Sequence, residues 1–246
     1  MLTAPLERIS YHALNAIFPP RCACCEEFVI KDGGLCASCW GQTDFIRGFF
    51  CDCCALPLAG EADGGRTLCD DCHANPPPWQ RGRAVFVYKG KGRDMVLALK
   101  NDRYALAKPL ARWLTSAVAP IIDAQTLVVP VPLHRKRLFE RRYNQSALLS
   151  ARLAKARALE HIPDLLRRPN ATQSQGGKTA EQREANLKGA IEITPRHAHR
   201  INGRDILIVD DVLTSGATLR ASAHACLNAG ARKVSVAVLA RVARDA

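Results

Sequence analysis

No run of apolar residues in the chain approaches the roughly 20 that a membrane-spanning helix requires. Aromatic residues are scarce, at 6%. Acids are outnumbered, with 23 Asp and Glu against 35 Lys and Arg, and beyond residue 72 cysteine disappears except for Cys226. The missing apolar run excludes a helical membrane span, and Glu7 with its polar neighbours stands where the apolar core of a secretion signal would lie. A cytoplasmic protein is expected. Scarce aromatics weaken any nucleic-acid surface built on base stacking and favour contacts to the phosphate backbone. The acid deficit leaves a formal net charge of +12. That charge suits anionic partners, whether nucleotides, nucleic acid or acidic membrane surfaces, unless it serves only to solvate the surface.

The cysteines that are present are crowded. Ten of the eleven fall between residues 22 and 72, eight of them as Cys-x-x-Cys pairs at Cys22/Cys25, Cys36/Cys39, Cys51/Cys54 and Cys69/Cys72. Such a pair is a tight knuckle supplying two thiolates, and structural zinc takes four in a tetrahedron, so the pattern predicts Cys₄ sites holding one or two Zn²⁺ ions. A segment this short buries too little for a core of its own, and metal would contribute much of its folding energy. Disulfides are the rival, disfavoured in a reducing cytosol. A redox pair would need a thioredoxin-like βαβ context that is absent. Sequential pairing groups Cys22, Cys25, Cys36 and Cys39 apart from Cys51, Cys54, Cys69 and Cys72, whereas a cross-braced arrangement mixes them, and spacing leaves both open. Cys24 and Cys53 read as spare thiols and Cys226 as a core thiol.

Residues 206–219 read Ile-Leu-Ile-Val-Asp-Asp-Val-Leu-Thr-Ser-Gly-Ala-Thr-Leu. The β-branched run to Val209 predicts a buried parallel strand, and Leu219, Ala223, Cys226 and Leu227 recur at helical spacing. A strand feeding a helix through Thr214, Ser215, Gly216, Ala217 and Thr218 directs backbone N–H groups and the positive helix end into one concavity, a cradle for phosphate. Gly216 permits close backbone approach. Asp210 and Asp211 stand at the strand's carboxyl end, where open α/β sheets bind ligands, and two carboxylates suit neighbouring ribose hydroxyls. The plain alternative is an ordinary strand-to-helix turn capped by an acid.

The rest of the chain frames this site. Leu6, Ile9, Leu14, Ile17 and Phe18 predict an N-terminal amphipathic helix within residues 1–20, stopped by Pro19 and Pro20. The cysteine module covers 21–75, and the stiff Pro76-Pro77-Pro78 run marks a boundary, after which 79–246 form an α/β domain. Within it, Ala84–Tyr88 read as a strand, and Met95–Lys100 and Ala105–Val118 as helices with Pro109 near a start or a kink. Residues 126–134 read as a strand broken by Pro130 and Pro132. It empties into a loop bearing Arg135, Lys136, Arg137, Arg141 and Arg142, side chains suited to a pyrophosphate unless they are only a solvated run. Asn144–Ala158 predict a helix with Ala147, Leu148, Ala151, Leu153 and Ala154 inward. Residues 167–190, with Arg167, Arg168, Lys178, Arg183 and Lys188 among Gln, Ser, Gly and Thr, read as a basic flap.

The strand–loop–helix stretch resembles the signature of type I phosphoribosyltransferases. With the four knuckles, the proline run, Val129-Pro130-Val131-Pro132-Leu133-His134, Asn144-Gln145, Gln173-Ser174 and Arg183-x-x-Asn186, nearly the whole chain resembles the ComF family, double zinc ribbons joined to a phosphoribosyltransferase domain. The fold implied is a parallel sheet flanked by helices. By that resemblance Asp210 and Asp211 hold the ribose 2- and 3-hydroxyls of phosphoribosyl pyrophosphate, and Thr214–Thr218 hold its 5-phosphate. The resemblance also marks Lys100, in the helix before the linker to the first core helix, as a ligand-binding residue and places Pro130, Pro132 and Arg135 at the pyrophosphate loop, where Mg²⁺ accompanies the ligand. Three functions follow from the resemblance. The chain assists uptake of single-stranded DNA in natural transformation, or is an active phosphoribosyltransferase of unknown acceptor, or senses phosphoribosyl pyrophosphate and meets a DNA-uptake helicase or other competence protein. Two departures from the family pattern are Arg142 for glycine in Arg141-Arg142-Tyr143-Asn144-Gln145 and Ser215 for threonine in the loop.

Overall fold

The computed structural model describes residues 19–31, 33–61, 64–169 and 190–243, with the side chains of residues 135 and 136 also outside the description. The expected N-terminal helix and most of the expected flap, including Gln173, Ser174, Lys178, Arg183, Asn186 and Lys188, lie outside the described residues.

Two short helices, α1 (Ala37–Gly41) and α2 (Asp70–Ala74), each start after the first cysteine of a knuckle, Cys36 or Cys69, and carry the second, Cys39 or Cys72. The sheet is then built from β1 (Arg81–Val87), β2 (Leu127–Pro130), β5 (Asp205–Leu213) and β6 (Lys233–Arg241), in the order β1-β6-β5-β2 with every neighbour parallel. Between them run α3 (Gly90–Lys100), α4 (Ala107–Val118), α5 (Arg135–Arg141), α6 (Gln145–Arg157) and α7 (Ala217–Asn228). A small antiparallel pair, β3 (Leu166–Arg167) and β4 (Glu192–Ile193), stands at the foot of the undescribed segment. No helix among the described residues is long and apolar enough to cross a membrane.

Parallel strands buried on both faces read as continuous apolar runs, and β5 shows why. Ile206 and Ile208 point into one core with Val234, Val236, Val238 and α7, while Leu207 and Val209 point into the other with Ala237, Leu239 and the inward sides of α3, α4 and α6. In α4 the buried Ala107, Leu110, Ala111, Leu114 and Val118 follow the helical repeat. Pro109 sits in its first turn, where the absent N–H has no intrahelical acceptor to serve.

Several expectations shift. β1 begins at Arg81 rather than Ala84, and α3 at Gly90 rather than Met95. β5 does not stop before the acids but carries them to Leu213, because β6 continues to pair with it where β2 has ended. Strand β6 itself, unassigned from the sequence, is central. The basic stretch after β2 is a seven-residue helix, α5, rather than a loop. In α6 the buried face carries Gln145, Ser146 and Ser150 beside Leu149 and Leu153, and Ala151 is exposed. The inward stripe is thus rotated from the purely apolar one expected, because three of its members are polar and partnered.

The cysteine region packs directly on the sheet. Between the two knuckle pairs, Ile46 N donates to Val85 O (2.9 Å) and Val87 N to Asp44 O (2.9 Å), so this segment pairs along the outer edge of β1. Near the start of β1, Gly82 N donates to Asp52 O at 2.7 Å. Here an added Cβ would lie 2.1 Å from Cys53 O, an approach only glycine permits. Cys51, Cys54, Cys69 and Cys72 belong to the same apolar core as Ile206, Ile208 and α7.

Candidate functional site

Because β2 ends at Pro130, the last residues of β5 rise above it with one side unpaired, and the two acids stand there. Asp211 is buried, with Lys100 Nζ 3.2 Å from Oδ1 and Gln145 Nε2 donating to Oδ2 at 2.5 Å. Asp210 accepts at Oδ1 from Ser146 Oγ (2.9 Å) and from the Asp211 backbone N–H (2.8 Å). The supports come from two elements: Lys100 closes α3, and Gln145 and Ser146 open α6. That opening is fixed by Asn144, whose Oδ1 caps the N–H groups of Ser146 (3.0 Å) and Ala147 (3.3 Å) while its Nδ2 donates to Val131 O (3.0 Å). Burial and the Asp211 charge push the Asp210 carboxyl up to about 7, against the opposing hydrogen bonds and Lys100.

Thr214, Ser215, Gly216, Ala217 and Thr218 line a concavity with Asp210, Val212 and Leu219. Gly216 caps α7 at φ 78°, a left-handed conformation that glycine adopts without strain. Arg220 N donates back to Gly216 O (2.8 Å), leaving the earlier N–H groups of the turn directed out of the helix end. Two acceptors for vicinal hydroxyls, an ammonium and a cluster of N–H and hydroxyl donors thus stand around one opening, which suits a sugar carrying phosphate. The structure brings Lys100, Asp210, Asp211 and 214–218 together. Arg135 opens α5, and its side chain is not described.

The eight knuckle cysteines resolve into sequential quartets, Cys22/Cys25/Cys36/Cys39 and Cys51/Cys54/Cys69/Cys72, with all ligand atoms of each within 4.8 Å of one another. Cys25 and Cys36 sulfurs lie 3.6 Å apart, as do those of Cys54 and Cys69, close to the about 3.8 Å that a tetrahedron with Zn–S of about 2.3 Å requires. Backbone N–H groups of Cys24 (3.5 Å) and Cys36 (3.3 Å) donate to Cys22 Sγ. Burial raises that thiol, but the N–H donors of Cys25, Cys36 and Cys24 bring it down to about 6. In the second quartet the Cys54 thiol and surrounding N–H groups hold Cys51 at about 4, while Cys54 is driven far up by Cys51 and by burial. Four thiols this close cannot all ionise without a cation among them, so the donor set fits Zn²⁺. Cys226 is fully buried, its thiol pushed up to about 12, as an inert core residue should be. Four contributors went unread in the sequence: Ser146, the tie of Gln145 to Asp211, Trp79 beneath Gly216, and Arg241 against Thr214. The last two lie far from the loop in sequence and carry no motif.

Residues 13–81 match the family described as double zinc ribbon domain, and residues 89–246 match the phosphoribosyl transferase domain. The chain is 31% identical over 214 residues to the DNA utilization protein YhgH of Escherichia coli, covering 85% of this chain and 90% of that one. It is 28% identical over 229 residues to Competence protein F of Haemophilus influenzae, covering 90% and 96%. To Competence protein ComFC of Bacillus subtilis it is 28% identical over 216 residues, covering 82% of each. With two Cys₄ quartets lying on a parallel sheet and these relatives matching along most of its length, the chain belongs to the ComF family, double zinc ribbons joined to a phosphoribosyltransferase domain.

Proposed function

We propose that the chain binds phosphoribosyl pyrophosphate with Mg²⁺ and uses the bound state in handling single-stranded DNA during uptake. The observation that carries the ligand is the union of the acid pair, Lys100 and the 214–218 loop at one strand end. In this reading Asp210 and Asp211 accept the ribose hydroxyls, with Ser146 and Gln145 fixing their orientation. The loop N–H groups and hydroxyls hold the 5-phosphate, and Lys100 lies toward the pyrophosphate, whose charge Mg²⁺ offsets. The DNA role rests on the names of the relatives, on the net charge of +12, and on two cationic–aromatic pairs at the first quartet. Arg21 lies 4.5 Å from the Phe28 ring centroid and Arg47 5.1 Å from that of Trp40, with Phe28 and Trp40 exposed. Such pairs engage single strands through stacking as well as charge, although aromatics are scarce overall.

Calorimetric titration of phosphoribosyl pyrophosphate with Mg²⁺ tests the ligand. Wild type should bind, and Asp210→Asn/Asp211→Asn should weaken binding by about 100-fold or more, the loss of two charge-assisted hydrogen bonds. Absence of binding by folded wild type refutes the reading. For the DNA arm, affinity for an oligonucleotide should fall linearly in log–log form with salt. A salt-insensitive or absent interaction removes it.

A further inference from the structure

The second cysteine quartet and the 214–218 loop share three supports. Trp79, 4% exposed, donates from indole Nε1 to Cys53 O at 2.8 Å, a carbonyl lying between ligands Cys51 and Cys54. The far edge of the same ring underlies the loop, since a Cβ at Gly216 would stand 3.3 Å from Trp79 Cη2. Arg241, last in β6, donates from Nη1 to Leu213 O (3.2 Å), Thr214 O (3.1 Å) and Val242 O (2.6 Å), while Nη2 stands 3.9 Å from Cys54 Sγ. Arg220, in the first turn of α7, lies 5.8 Å from the Trp79 ring centroid and donates to Asn75 O (3.1 Å) and Pro76 O (3.3 Å), just beyond Cys72. The first quartet's contacts run elsewhere: Arg112 to Gly33 O at 3.3 Å and Arg103 to Glu26 at 3.0 Å, on the α3–α4 side.

We propose that Trp79 and Arg241 are positioning residues that couple the metal state of the second quartet to anion binding at the 214–218 loop. The coupling rests on the reading of that loop as the phosphate site. A zinc ion held by four thiolates carries net negative charge, and the Arg241 guanidinium stands between that charge and the carbonyl of Thr214. The same metal fixes the Cys51–Cys54 knuckle, and with it the Cys53 carbonyl that orients Trp79 beneath Gly216. With metal bound, the loop is held in its anion-ready conformation before the ligand arrives. Without it, the ligand must order the loop itself and binds more weakly. Linkage is reciprocal, so the ligand must raise the affinity of this quartet for zinc by the same factor. The first quartet, lacking these supports, serves as the internal control.

The test uses the full zinc-loaded chain. Its cysteines are alkylated in the presence of a zinc-selective chelator, with and without saturating phosphoribosyl pyrophosphate and Mg²⁺, and the rate at each cysteine is read by peptide mass spectrometry. The ligand should slow alkylation of Cys51, Cys54, Cys69 and Cys72 at least about fivefold, the lower end of usual coupling, and leave Cys22, Cys25, Cys36 and Cys39 unchanged. Arg241→Gln should remove that protection and weaken calorimetric binding by a similar factor, with Arg241→Lys restoring part of it. Trp79→Phe, which keeps a ring but loses the donor, should fall between. A merely structural role would alter both quartets alike. Ligand binding by wild type with unchanged alkylation of the second quartet, or wild-type affinity in folded Arg241→Gln, overturns the coupling. No binding by two-zinc wild type overturns the reading of the loop and the coupling with it.

Discussion

Asp210 is a carboxyl whose surroundings oppose its ionisation, first through burial and then through the neighbouring Asp211 charge, and its folded value near 7 stands above the ordinary 3.8. Between those values the folded chain holds a proton that the unfolded chain has released, so this residue lowers stability as pH rises through the window. The urea midpoint of Asp210→Asn should therefore decline less than that of wild type between about pH 5 and about pH 8. Ligand binding should run the other way, strengthening as Asp210 ionises and becomes an acceptor on both oxygens. A second residue under tension is Arg142, which bears a side chain at φ 62°. Arg142→Gly should raise the unfolding free energy by about 1 kcal/mol, measured by urea denaturation, by relieving a left-handed side-chain-bearing residue. The acids and the small-residue loop were legible because they are contiguous and their chemistry is local. Ser146, Trp79 and Arg241 were not, since each acts across the fold on a partner that sequence neighbours do not reveal.

At the scale of elements, the helices were legible wherever one apolar face repeated, as in α4, and blurred where function placed polar residues inward, as Gln145 and Ser146 do in α6. β6 is the instructive omission. Lys233-Val-Ser-Val-Ala-Val-Leu-Ala-Arg241 carries the β-branched signature of a buried strand, and seven of its nine residues are buried. The contact between β1 and the knuckle at Cys53 was not legible in the sequence, because nothing around Gly82 marks the carbonyl that approaches it. Its tightness yields a direct expectation: Gly82→Ala drives a methyl group into the Cys53 carbonyl and should destabilise the chain by about 1–3 kcal/mol. Thermal unfolding followed by circular dichroism reads the loss.

For the molecule as a whole, the two quartets differ in what they hold up. The second is buried throughout and shares its core with β5, β6 and α7, whereas Cys25 of the first is exposed. Cys54→Ser should lower the melting temperature of the entire chain, while Cys25→Ser should loosen only the first knuckle. Hydrogen exchange separates the outcomes, with β5 and β6 losing protection in the first variant alone. The double zinc module and the α/β domain were both apparent from composition and motif. Their common core was not, because a proline run at 76–78 looks like a spacer whatever packs around it.

The sheet order has a further consequence during synthesis. β1 pairs on its outer side with residues already made, near Asp44 and Ile46, but its inner neighbour is β6, so Arg81 must await Ser235. On the ribosome, the nascent chain therefore carries a strand with one paired edge and one open edge until Lys233–Arg241 emerge between β1 and β5. Residues 44–46, which precede β1 in the chain, cover the first edge during that interval, and the second is closed only by the strand that joins the two halves of the sheet.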